Sequence, residues 1–193
     1  MKSKTVFKVY VLLSIFLVVD LVSYFSFGVS LRGYYADIIL FWIWFFGTLL
    51  MIVTYWSKRV AKFSLMAMVS IILLSNVPMG IPFYAFVLSS TPFGLWLDKD
   101  LNSLYRAQII SYSVMTPPWL EIIEKRGVFE RKIMKCTDNQ ILDDRTDVKI
   151  RNAKDLIFES ETDRTLTLKL LYGGANKTLV FDKEKGNILE ERR

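Results

Sequence analysis

The 193-residue chain contains no histidine and a single cysteine, Cys136. Without histidine there is no His-based triad, no His-ligated metal and no imidazole to serve as general base near neutral pH. A lone cysteine makes neither an internal disulfide nor a Cys-rich zinc or iron–sulfur site. Cys136 sits in a basic run with Lys132 and Lys135 and reads as a buried or edge residue rather than a nucleophile. Neither G-x-x-x-x-G-K-[ST] nor G-x-G-x-x-G occurs, so no phosphate-cradling loop is expected. No cofactor is therefore called for, and an enzyme is not expected.

Charge is the next scarcity, and it is local. Residues 1–97 hold seven Lys/Arg and two Asp/Glu, and residues 98–193 hold eighteen and seventeen. No charged residue occurs from Phe63 to Leu97. The reading is a transmembrane module over 1–97 followed by a water-soluble module over 98–193. The net charge of +6 does not point to nucleic acid, because the excess lies in the membrane half. There it sets orientation instead.

Three spans are expected, at about 9–27, 35–56 and 63–87. Val9 to Phe27 is roughly 28 Å as a helix, the thickness of a bilayer core. It ends in Tyr24, Phe25, Ser26 and Phe27, without the small-x-small exit of a cleaved signal peptide. The second span is bracketed by Tyr34 and Tyr35 at one end and by Tyr55 and Trp56 at the other, as interfacial aromatic belts are. The third contains Asn76, Pro78, Gly80 and Pro82. It reads as one Pro-kinked span followed by an interfacial segment, SSTPFGLWL. A hairpin turning at residues 76–80 is the competing reading, but its first leg, Phe63–Ser75, would cover only about 20 Å. Lys2, Lys4, Lys8, Lys58, Arg59 and Lys62 fall on one side of these spans and Arg32 alone on the other. That bias puts the N-terminus in the cytoplasm and residues 98–193 outside it, in a plasma or bacterial inner membrane.

In the soluble module, residues 98–106 suggest a short helix with Asp98 as N-cap. Residues 108–115 alternate like a strand. Thr116 and Pro117 suggest the start of a second short helix through residues 120–126, closed by Gly127. Residues 128–136 read as a strand. DLIFESE, RTLTLKLLY, KTLVFD and ILEERR are four segments separated by turn residues, and Leu166, Leu168 and Leu170 alternate with polar neighbours. The expected fold is thus an N-terminal three-helix transmembrane bundle plus a C-terminal small α+β domain with an antiparallel β-meander.

Asp20 is the sharpest candidate, because a carboxyl group inside a span is costly and faces a protein interior or a water-filled path. By rise per residue it lies about 16 Å above Val9, and Asn76 about 20 Å above Phe63, so an intramembrane polar contact between the two is expected. Arg32 and Asp37 flank the short outer loop as a pair or as headgroup markers. Asp138, Asp143, Asp144 and Asp147 lack EF-hand spacing and read as a solvated loop. The expected function is non-enzymatic. A multi-pass membrane protein presents an extracytoplasmic β-rich domain to a protein partner, as an accessory subunit or an immunity-type protein does. The alternative is a small channel or transporter component that uses Asp20.

Overall fold

The computed structural model describes residues 2–76, 81–112, 117–141, 149–174 and 176–192. Its N-terminal part is helical and its C-terminal part is an antiparallel β-sheet domain. Helix α1 (Lys2–Phe27) and helix α2 (Tyr34–Thr54) run antiparallel. Within them, Thr5–Phe27 and Tyr34–Thr54 are long and apolar enough to cross a membrane. Side-chain pairs fix their register. The rings of Phe7 and Tyr55 meet edge to face at 6.2 Å, the hydroxyls of Tyr10 and Thr48 are 3.0 Å apart, and Trp44 Nε1 donates to Ser14 Oγ at 3.0 Å. In an apolar surround each such hydrogen bond stabilises helix pairing by about 1 kcal/mol.

Gly28 ends α1. Its φ of 65° is a left-handed conformation, and its N–H donates to the Tyr24 carbonyl at 3.0 Å, as a C-terminal cap does. The chain then turns into a three-residue strand, β1 (Val29–Leu31), before α2 begins.

Only parts of the expected third span are described. Helix α3 (Arg59–Asn76) is followed by α4 (Ile81–Ser89), with residues 77–80 outside the described set. The hinge or turn expected around Pro78 and Gly80 therefore lies outside the described residues. The end of α4 packs against the start of α2. Phe86 and Phe41 meet edge to face at 5.4 Å, Trp42 Nε1 donates to the Ser90 carbonyl at 2.8 Å, and the Tyr34 hydroxyl donates to the Thr91 carbonyl at 3.2 Å. The chain thus leaves α4 beside the end of α2 opposite to Tyr55, where α3 set out.

A 3₁₀ turn (Pro92–Gly94) leads into the β domain. Gly94 is squeezed between the two parts: a Cβ there would lie 2.5 Å from the Leu88 carbonyl oxygen and 2.9 Å from that of Ser111. Strands β2 (Leu95–Asp100), β3 (Tyr105–Ile110), β4 (Trp119–Arg126) and β5 (Phe129–Cys136) join β1 in one antiparallel sheet, in the order β1-β5-β4-β3-β2. Strands β6 (Asp155–Glu161), β7 (Thr165–Leu171), β8 (Lys177–Asp182) and β9 (Ile188–Arg192) form a second sheet in chain order, the meander expected from the sequence. Both sheets contribute to one core. Ala107, Ile109, Leu120 and Ile122 from the first meet Leu166, Leu168, Leu170 and Phe181 from the second, all at 1% exposure or less.

Two local expectations are corrected. Residues 98–106 are not a helix. Asp98 belongs to β2, and Asn102 makes the turn into β3 by accepting from the backbone N–H groups of Leu104 (2.8 Å) and Tyr105 (2.6 Å). Residues 120–126 are strand β4 rather than a helix. Leu120 and Ile122 enter the shared core while Glu121 and Ile123 face the helices, so both faces of the strand are covered and the polar–apolar alternation is lost. The α+β expectation changes with them: among the described residues beyond Leu95 the only helical turns are 3₁₀ turns at Asp138–Gln140 and Ile150–Asn152.

Candidate functional site

The face of the first sheet turned away from the core carries an unusual set of side chains. Arg106 and Gln108 project from β3, Glu121 from β4, and Glu130 and Lys132 from β5. A register shift between Ile122 and Ile123 in the β4–β5 pairing permits this. The extra residue on β5 flips its alternation, so Met134 and Cys136 enter the core whereas Lys132 and Glu130, of the same parity, face the helices.

These side chains form one chain of contacts. Arg106 Nη1 donates to Asp98 Oδ1 at 2.7 Å and to Gln108 Oε1 at 2.9 Å, and Nη2 donates to Glu130 Oε1. Gln108 Nε2 donates to Glu121 Oε2 at 3.1 Å, and Trp119 Nε1 donates to Glu121 Oε1 at 2.9 Å. Lys132 Nζ lies 3.4 Å from Glu121 Oε1 and 5.1 Å from the centre of the Tyr24 ring. The Arg106 and Glu130 side chains are 7% and 4% exposed, so the pair is desolvated. Burial alone would lower the Arg106 guanidinium and the Lys132 ammonium, but Asp98 and Glu130 hold the first, and Glu121 the second, above its ordinary value. Burial raises the Tyr112 phenol, with Tyr34 adding to the shift.

Beneath this roof lies a cavity of about 550 Å³, enclosed by α1, α2, α4 and the sheet. Its apolar wall includes Leu17, Leu21, Phe25, Phe41 and Phe86, and two carboxylates, Asp20 and Asp37, also reach it. Asp37 Oδ1 accepts from the Leu31 N–H at 3.3 Å. A second cavity of about 300 Å³ lies on the far side of the Arg106–Glu130 pair, lined also by Arg32, Asp98 and Lys125. Two atoms of that partition, Arg106 Nε and Glu130 Oε2, are buried with no hydrogen-bond partner among the described residues.

Asp20 thus lies on the wall of a cavity, with Asp37 as its neighbour. Asn76 ends α3, and its side chain is outside the described residues, so the expected Asp20–Asn76 contact is not among the observed ones. Arg32 and Asp37 take separate partners: Arg32 Nη1 donates to the Gly127 carbonyl at 3.2 Å. Asp143, Asp144 and Asp147 lie outside the described residues, and Asp138 is buried, accepting from the Ile150 N–H at 2.7 Å. Cys136 is fully buried, and burial together with Asp138 pushes its thiol up to about 12. Sequence reasoning missed Arg106, Gln108, Glu121, Glu130 and Lys132. The one legible signal was a pair of charged or amide residues two apart, Arg106 with Gln108 and Glu130 with Lys132; Glu121 has no such partner.

No protein-family model matches the chain, and no curated protein or solved structure resembles it significantly.

Proposed function

We propose that this is a non-enzymatic, multi-pass membrane protein that binds an amphiphilic ligand in the cavity between its helices and its β domain. The observation that carries the reading is the cavity itself, apolar where the helices line it and charged where the sheet roofs it. Binding sites are commonly concave, mostly apolar and furnished with a few convergent polar groups. The two apolar helices support insertion in a bilayer. The Lys/Arg bias supports a cytoplasmic N-terminus, with the division after the third crossing placing residues 98–193 outside. In this reading α3 and α4 make one broken crossing, with the whole serving as an accessory or immunity-type component whose ligand state is read by a protein partner at the β domain. The buried network has a structural role, because every one of its cations is matched by a carboxylate.

The second reading is a channel or transporter component. The feature that favours it is the alignment of the two cavities on either side of the Arg106–Glu130 pair, with Asp20 on the inner side. Three crossings are few for a private pathway, which is why binding is preferred.

The test is native mass spectrometry of the full chain released gently from its membrane. The wild-type chain carries one amphiphile, and Ile38→Trp, whose larger ring crowds the cavity wall, binds it more weakly while keeping its circular dichroism spectrum. A bare wild-type chain, or a ligand unaffected by Ile38→Trp, would refute the reading.

A further inference from the structure

The face of the first sheet that roofs the cavity does not stop where the cavity stops. Trp119 points the same way as Glu121, two residues on in β4, because the register shift between β4 and β5 comes only after Ile122. Lys135 is the register partner of Glu121 and so projects from that face too. Neither Trp119 nor Lys135 lines the cavity. Lys135 is exposed, its Nζ lies 4.2 Å from the centre of the Trp119 ring, and it has no ion pair among the described residues. The helix-side face of the sheet thus reaches past its helical cover and ends in an aromatic ring and an exposed ammonium.

Packing fixes the height of this overhang. Trp119 meets Tyr112 edge to face at 5.7 Å, and Tyr112 interacts with Tyr34, the first residue of α2. The Tyr34 hydroxyl donates to the Thr91 carbonyl at 3.2 Å, so the chain leaving α4 passes the same end of α2. The Ser111 N–H donates to the Gly94 carbonyl at 2.8 Å, which holds the end of β3 against that exit. Between Thr91 and Gly94, Phe93 stands 79% exposed. These residues lie at the level where α2 and α4 leave the apolar layer. Exposed rings beside a cation at that depth have the make-up of an interfacial anchor. Aromatic rings sit at the head-group level of a bilayer, and a long basic side chain lays its stem on apolar surface while its charge meets phosphate.

We propose that this overhang rests on the leaflet at which α4 ends, with Phe93 among the outermost acyl carbons, Trp119 at the head groups and the Lys135 ammonium against phospholipid phosphate. The occupant is lipid because the overhang belongs to the face turned toward the helices, and past the helices that direction leads to the bilayer. The proposal rests on membrane insertion of the helices and is independent of what the cavity binds.

The experiment uses the full chain in vesicles of phosphatidylcholine, with a nitroxide on one introduced cysteine at a time and the fully buried Cys136 left unlabelled. Oxygen, which partitions into the apolar layer, and a water-soluble nickel chelate compete to relax the label. Ile43→Cys reports the middle of α2, and Asp163→Cys reports the exposed turn between β6 and β7, in the sheet on the far side of the first from the helices. Oxygen is expected to relax the labels of Ile43→Cys and Phe93→Cys more than nickel does, with the order reversed for Asp163→Cys. A Phe93→Cys label that behaves like that of Asp163→Cys, while the Ile43→Cys label stays in the apolar layer, overturns the anchor and leaves membrane insertion standing. An Ile43→Cys label open to nickel overturns insertion itself. A Phe93→Cys label shielded from both reagents means that protein covers the site and overturns lipid as the occupant. The phosphate contact is read from thermal unfolding of the β signal in vesicles with and without phosphatidylglycerol. The gain in Tm from the anionic lipid is expected to shrink by about 4 °C in Lys135→Gln and to persist in Lys135→Arg. An undiminished gain in Lys135→Gln overturns the assignment of Lys135 to phosphate.

Discussion

Replacing Glu130 by alanine removes one half of a desolvated ion pair and leaves Arg106, only 7% exposed, without that partner. Breaking a buried pair in this way costs about 3–5 kcal/mol. The structure argues for the lower end. Arg106 keeps its Nη1 contacts to Asp98 at 2.7 Å and Gln108 at 2.9 Å, and the Asp98 side chain is 30% exposed, so only the Nη2 partner is lost. For a β domain of about 100 residues, 3 kcal/mol corresponds to a fall in Tm of about 12 °C or more. The assay is thermal unfolding of the full chain in detergent, followed by the β signal in circular dichroism. Glu159→Ala serves as the control: its partner Lys169 is 3.6 Å away and both side chains are more than a third exposed, so the expected shift is within about 0.5 kcal/mol. Converting both residues, Arg106→Met with Glu130→Met, is expected to be less damaging than Glu130→Ala alone, because the one charge it leaves without its partner, Asp98, is 30% exposed and reaches water. A Glu130→Ala shift no larger than that of Glu159→Ala would refute the claim that the pair is desolvated.

Asp20→Asn is expected to leave abundance unchanged, and Asp20→Leu to reduce it by the equivalent of about 1 kcal/mol, measured by quantitative blotting of membranes; an abundant but inactive Asp20→Asn chain would favour the transport reading. Reporter fusions after Lys62 are expected to read cytoplasmic and those after Arg193 extracytoplasmic. Residues 92–193 expressed alone are expected to unfold cooperatively, because the shared core draws on no residue before Leu97; a molten product would show that the sheet depends on its helical cover. Asp155 and Glu161 are held below their ordinary range, chiefly by hydrogen bonds from Lys99 and Lys183 respectively. Their contribution is present above the unfolded values near 4 and is lost as pH falls through the lower folded values, so the urea midpoint of this fragment should drop on acidification below about pH 4. Cys136, its thiol pushed up to about 12, should resist iodoacetamide at pH 8 until the domain is unfolded.

The parts of the fold that were legible in the sequence are those where one physical constraint dominates. The apolar runs ending at Phe27 and Thr54 answer to length and hydropathy alone. The strands around Leu166, Leu168 and Leu170 have one wet face and one dry, so period two survives. Strand β4 was hidden because its second face is covered by the helices. The sequence LEIIEKR, preceded by Thr-Pro-Pro-Trp and followed by Gly127, then satisfies helix start and stop rules while folding as a strand. The site was half legible. Asp20 stood out because a carboxylate in an apolar run has few explanations. The residues above it did not, since Arg106, Glu121 and Glu130 become neighbours only through the pairing of β3, β4 and β5 and the bulge near Ile133. Strand β1 was read as part of a short outer loop, and nothing local distinguishes Val29–Leu31 from one.

That short strand is also where the account is most directly tested, because β1 ties the loop between α1 and α2 to the sheet that roofs the cavity. Leu31 is the register partner of Phe129, and the flanking bonds, Arg32 N–H to the Val128 carbonyl and Lys132 N–H to the Gly28 carbonyl, put Leu31 and Phe129 in a non-hydrogen-bonded position. Opposed Cα atoms there are about 4.5 Å apart, within disulfide range. The full chain carrying Leu31→Cys and Phe129→Cys should be oxidised in intact membranes, resisting maleimide-polyethylene glycol until reduced and then taking two labels, with Cys136 silent throughout. Two freely reactive cysteines in a folded chain would mean that the sheet is not seated on the helices and that the cavity between them does not exist.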